Sequence, residues 1–94
     1  VFYMMEHLTS AARQLGFDEE TAKLLVQNTF AGAVALAEAS EEPVSVLRER
    51  VTSKGGTTAA ALAVFNAKGI DQALIQGAQA ATERARELAI ELAK

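Results

Sequence analysis

The chain has 94 residues, half of them apolar and 22% charged, the balance of one globular domain rather than of a disordered segment. Nine basic against twelve acidic residues give a net charge of −3, which excludes the basic stripe that a nucleic-acid binder needs. With no cysteine and a single histidine, His7, disulfides, thiolate chemistry and metal sites built on sulfur or clustered imidazole are excluded as well.

Twenty alanines and one proline, Pro43, set the expectation of an all-α fold with five helices. A first helix is predicted over residues 1–15, with Met5, Leu8, Ala12 and Leu15 as its apolar stripe and Gly16 as its stop. His7 falls on its polar side and reads as a surface histidine. Asp18 is placed as the N-cap of the second helix, with Glu19 and Glu20 in the first turn, where the helix dipole favours anions. That helix is predicted to reach residue 39 and carries two apolar faces, one through Val26, Phe30, Ala33 and Ala37, the other near Leu25, Gly32 and Leu36. A helix apolar on most of its circumference must be covered on most of it. So short a chain offers little cover, which predicts a dimer.

An acidic turn at residues 40–42 leads to Pro43, placed at the first position of a third helix over 44–52. Glu38, Glu41 and Glu42 lie at that helix end and turn and read as solvated acids. A break at residues 53–56 precedes a fourth helix, starting at Thr57 or Thr58 and ending at Gly69. Asp71 is expected to cap the fifth, which runs to Lys94. Its seam of Leu74, Ala78, Ala81, Ala85, Leu88 and Leu92 has the alternating four-and-three spacing of a helix packed closely along another. Pattern alone leaves open whether that partner lies in the same chain or in a second one. Glu83, Arg84, Arg86, Glu87 and Glu91 read as the solvated side.

The longest uncharged stretch, residues 24–37, contains Gln27, Asn28 and Thr29 and falls short of the roughly 20 apolar residues a membrane-spanning helix needs. No basic start followed by an apolar core marks a signal peptide. A cytoplasmic setting without membrane contact is expected. The chain opens at Val1 within an amphipathic run, and an upstream part is expected to precede it.

One segment has the makings of a site: Thr52-Ser53-Lys54-Gly55-Gly56-Thr57-Thr58. Paired glycines permit backbone angles closed to other residues and let a ligand approach the main chain. The helix that follows presents unpaired N–H groups and the positive end of its dipole. Ser53, Thr57 and Thr58 add hydroxyls. These parts suit a small anion such as a carboxylate. The phosphate-loop pattern is not met, because Lys54 precedes the glycines and no lysine follows them. The plainer alternative is punctuation, a glycine stop followed by a threonine N-cap. No base and orienting acid accompany any hydroxyl, so a hydrolase has no support.

The segment from Val51 to Thr58, continued through residues 59–65, resembles the signature of pyrroline-5-carboxylate reductase. The likeness extends through Asn28-Thr29-Phe30-Ala31-Gly32-Ala33, the acidic turn with Pro43, and residues 80–88. It covers nearly the whole chain with matching spacing and corresponds to that enzyme's C-terminal domain.

The resemblance implies an interlocked dimeric helical bundle, of the type found at the C-terminus of 6-phosphogluconate dehydrogenase. It also implies NADPH- or NADH-dependent reduction of 1-pyrroline-5-carboxylate to L-proline. The NADP or NAD would sit on an N-terminal Rossmann domain absent from this sequence, leaving no cofactor or metal site on residues 1–94 and no activity in them alone. Ser53, Gly55, Gly56 and Thr57, with neighbouring backbone amides, would receive the substrate carboxylate. Thr58 matches the family threonine whose hydroxyl lies beside the ring nitrogen, and so would be the catalytic contact. Lys54 stands where many members have proline; its charge either adds attraction for an anion or only loosens the loop. The implied partners are a second copy of the chain and a small anionic substrate, with rings of dimers known in the family. The competing expectation is a free-standing helical interaction module without a ligand.

Overall fold

The computed structural model describes residues 1–93. They form five helices: α1 (Phe2–Gln14), α2 (Glu19–Ala39), α3 (Val44–Arg50), α4 (Thr57–Ala67) and α5 (Ile70–Ala93). The all-α expectation holds, and each helix lies within two residues of its predicted bounds. Lys94, the predicted end of the fifth helix, lies outside the described residues. The chain divides into two units, one over Val1–Arg48 and one from Glu49 onward.

In the first unit α1 ends in a Schellman motif, the paired bonds that recover a helix's last carbonyls. The Phe17 amide donates to Ala12 O at 3.2 Å and the Gly16 amide to Arg13 O at 3.0 Å. Gly16 supplies the left-handed residue that this closure requires, with φ +108°. α2 then starts on Asp18, whose carboxylate accepts from the Thr21 amide at 2.7 Å.

The return brings α1 against α2, where Ala22 and Val26 are buried at 0% and 8% exposure, and Met5, Ala12 and Phe30 are half-buried. The rest of the predicted stripe on α1 is open: Leu8 is only partly covered, and Leu15, the C-cap, turns out to solvent. α2 is covered along one side alone. Its other face, with Leu25, Gly32 and Leu36, stays exposed, so the two-faced helix finds one of its two covers within this unit. His7 is on the surface beside Glu6 and against the Tyr3 ring, centroids 4.4 Å apart.

After α2, Ser40 adopts an extended backbone and its hydroxyl accepts from the Glu42 amide at 3.0 Å. Pro43 precedes α3 rather than opening it, because its carbonyl already accepts from Val46 and Leu47. That displacement of one residue is within the ordinary ambiguity of helix ends.

In the second unit α4 and α5 meet at a single hinge. Gly69, with φ +70°, ends the one and begins the other, its carbonyl accepting from Ala73 at 2.9 Å. One residue serves both helices, so Asp71 is not the N-cap of α5; it sits in the first turn. Neither α4 nor α5 has a buried residue. The seam from Leu74 to Leu92 is exposed along its length, Leu92 by 85%, and it finds no cover within this unit. On its solvated side Arg84 pairs with Glu87 at 2.8 Å and Glu91 at 3.5 Å. Among the described residues no helix is long and apolar enough to cross a membrane.

Candidate functional site

All five residues singled out between the third and fourth helices lie in the second unit, on one turn and the start of α4. The turn is closed by the Gly56 amide, which donates to Ser53 O at 3.0 Å. Gly55 is its third residue and has φ +74°. A left-handed third residue makes this a type II turn, for which glycine is the preferred occupant. Gly55 therefore uses the conformational freedom of the pair, whereas Gly56, at φ −84° and ψ −179°, does not.

Gly56 is the N-cap of α4. The threonine N-cap of the punctuation reading is not what forms: Thr57 and Thr58 are already inside the helix, because the carbonyl of Gly56 accepts the first helical bond, from Ala60 at 3.1 Å. The amides of Thr57, Thr58 and Ala59 thus precede the first residue whose N–H is paired within the helix. A glycine cap has no side chain to satisfy them, and no side-chain capping bond is present. α4 also lacks an acid in its first turn. α2 shows the contrast, with Asp18 bonded to Thr21 and Glu19 and Glu20 following.

Around these amides Gly56 and Thr58 are half-buried, while Ser53, Gly55 and Thr57 are exposed. The hydroxyl of Ser53 lies directly over Gly56. Threonines deeper in helices bond back to the preceding turn: Thr29 donates to Leu25 O at 2.6 Å, and Thr82 to Ala78 O at 2.9 Å. For Thr58 the corresponding carbonyl belongs to Lys54 in the turn, outside α4. Lys54 is exposed.

The arrangement can accept an anion on main-chain amides, with flanking hydroxyls to donate or accept. The glycine pair joins two helices, and among the described residues no strand precedes it to make a strand–turn–helix cradle. Among the described residues there is also no cluster of three or more metal-ligating side chains. Glu38, Glu41 and Glu42 stay exposed at the α2–α3 turn, in the other unit from Thr58.

Residues 1–88 match the family model described as pyrroline-5-carboxylate reductase dimerisation. The chain is 46% identical over 90 residues to a pyrroline-5-carboxylate reductase of Haemophilus influenzae, covering 93% of this chain and 32% of the relative. It is similar to the solved structure of a pyrroline-5-carboxylate reductase from Coxiella burnetii, with TM-score 0.87 and 44% identity over 93% of this chain and 32% of that one. A Plasmodium falciparum pyrroline carboxylate reductase, solved with NADP bound, matches with TM-score 0.86 and 29% identity over 88% of this chain and 34% of that one. The chain thus spans about a third of the length of these relatives.

Proposed function

This chain belongs to the pyrroline-5-carboxylate reductase dimerisation family, and from that premise we propose that it is the substrate-binding and dimerising domain of an NAD(P)H-dependent reductase that converts 1-pyrroline-5-carboxylate to L-proline. The observation that carries the reading is the start of α4, a helix capped by Gly56 with no side-chain bond to its first amides. The substrate carboxylate takes the place of the missing cap. It accepts from the main-chain amides opening α4, with the Ser53 and Thr57 hydroxyls beside it and with Gly55 and Gly56 adding no side chain to the turn. The positive end of the helix dipole adds to the attraction.

With the carboxylate held there, Thr58 hydrogen-bonds the ring nitrogen and fixes the orientation of the neighbouring carbon. The nicotinamide cofactor, NADP or NAD, belongs to a separate dinucleotide-binding domain and supplies hydride when bound. The residues of this chain bind and orient the ring.

The exposed seam of α5 and the uncovered face of α2 support the second half of the reading, packing against another copy of the chain. Units this small rarely hold a sufficient core alone, and among the described apolar residues only Ala22 and Val26 are buried.

Titrating the chain with L-proline while following backbone amide resonances tests the site. Saturable shifts centred on Thr57, Thr58 and Ala59 are expected. Shifts scattered over other helix starts, or none at all, leave assembly as the chain's only role.

A further inference from the structure

We infer that Gly56 is a positioning residue for Ser53: its missing side chain is what allows the Ser53 hydroxyl to stand over the N-cap of α4. The inference rests on the carboxylate-binding reading above and adds a reason for the second glycine of the pair.

The two glycines answer different needs. At Gly55 an added Cβ would meet nothing within 4 Å, but φ is +74°, a backbone setting that penalises any side chain. At Gly56 the backbone, with φ −84° and ψ −179°, suits any residue. What a side chain there would meet is the Ser53 hydroxyl. Ser53 Oγ stands well inside van der Waals contact of the point where the Cβ would sit, with Ser53 O at 3.2 Å and Ser53 Cβ at 3.5 Å from that point. Gly55 therefore shapes the turn, and Gly56 makes room for one hydroxyl.

A methyl group at position 56 displaces whatever moves most cheaply. The backbone carbonyl of Ser53 is tied into the turn by the Gly56 amide. The hydroxyl is the free end of a short side chain, and rotation about its χ1 clears the overlap. Gly56→Ala thus keeps the turn and the helix start while sending the Ser53 hydroxyl away from them. The carboxylate loses a donor that contributes to binding before and during the reaction alike. The Thr58 contact to the ring is untouched. Loss of such uniform binding raises KM and leaves kcat unchanged.

The test uses a full-length reductase carrying this sequence as its C-terminal domain, with 1-pyrroline-5-carboxylate as substrate. Gly56→Ala and Ser53→Ala are each expected to raise KM by about tenfold, the loss of one hydrogen bond to a charged group. The double variant should be no worse than either single one, since both remove the same hydroxyl. A Gly56→Ala enzyme with wild-type KM, beside a Ser53→Ala enzyme with raised KM, overturns the positioning role and spares the carboxylate reading; so do effects that multiply in the double variant. A silent Ser53→Ala overturns the hydroxyl's part in the carboxylate reading, and this inference with it. Should Gly56→Ala fail to fold, the double variant decides: normal folding with the KM of Ser53→Ala supports the inference, and a double variant that also fails to fold overturns it.

Discussion

The carboxylate of Asp18 accepts a hydrogen bond from the amide of Thr21 at 2.7 Å, and this contact defines by contrast what the start of α4 lacks. The bond favours the ionised acid, so it holds the Asp18 carboxyl below the ordinary carboxylate range; the Arg13 charge adds a smaller pull in the same direction. α2 thereby carries its own anion at its N-terminus. α4 has no such side chain at its start.

The lowered pKa of Asp18 sets the sign of a pH effect. A carboxyl depressed in the folded state contributes stability that is fully present above its unfolded pKa and is lost as pH falls through its folded one. Helix content and melting temperature should therefore decline as the solution is acidified through the carboxylate range and below. Asp18→Asn keeps a side-chain oxygen for the cap but has no proton to take up, so its acid decline should be shallower than that of the wild type. Asp18→Ala should melt lower at neutral pH. Thermal melts of the three proteins by circular dichroism, from neutral to acidic pH, check both expectations.

A second prediction concerns the turn before α4. Lys54 is the second residue of a type II turn, where a fixed φ near that of proline is wanted; the Lys54 amide takes no part in closing the turn, which is done by Gly56. Lys54→Pro should then stabilise the protein by about 0.4–1 kcal/mol through the unfolded chain. Gly55→Ala should act oppositely, by about 1–2 kcal/mol, because φ is +74° at that residue. Urea unfolding at one fixed protein concentration measures both.

The helices were legible in the sequence because their signals are local. Alanine content, the Asp18 cap and the glycines at 16 and 69 each act within one turn, and each stands where it was read. The site segment was legible for the same reason, as a glycine pair before a helix. The division of labour within that pair was not: whether a glycine serves a positive φ or an empty space depends on where the Ser53 side chain goes. The partner of the α5 seam was equally hidden, since four-and-three spacing describes a face and not what covers it. Asp71 misled because one residue, Gly69, both ends α4 and opens α5.

The seam itself gives a third prediction. Ala81 and Ala85 sit at its middle, both exposed in the single chain. In the proposed dimer a glutamate side chain introduced at either position would be buried against a closely packed helix without a partner, a penalty of about several kcal/mol. Ala81→Glu should convert the dimer to a largely monomeric chain of reduced helicity. Glu83→Ala, on the solvated side, should leave the dimer intact. Sedimentation at micromolar concentration separates these outcomes, and a dimer that tolerates glutamate at position 81 would remove the seam from the interface.

Thr58 gives the prediction closest to the chemistry. It is half-buried in the first turn of α4, too near the helix start to back-bond to a helical carbonyl as Thr29 and Thr82 do. Its hydroxyl is therefore available for a ring nitrogen, and no other hydroxyl lies deeper in that helix. Thr58→Ala should lower kcat/KM of the full-length reductase by roughly 10- to 100-fold, the loss of one hydrogen bond of about 1–3 kcal/mol at a desolvated site. Thr58→Val keeps the shape without the hydroxyl and should behave like alanine; Thr58→Ser restores the hydroxyl and should recover much of the rate. Each variant should remain dimeric, since none adds bulk or charge. A valine variant with wild-type kcat/KM would show that the ring is oriented by the main-chain amides alone.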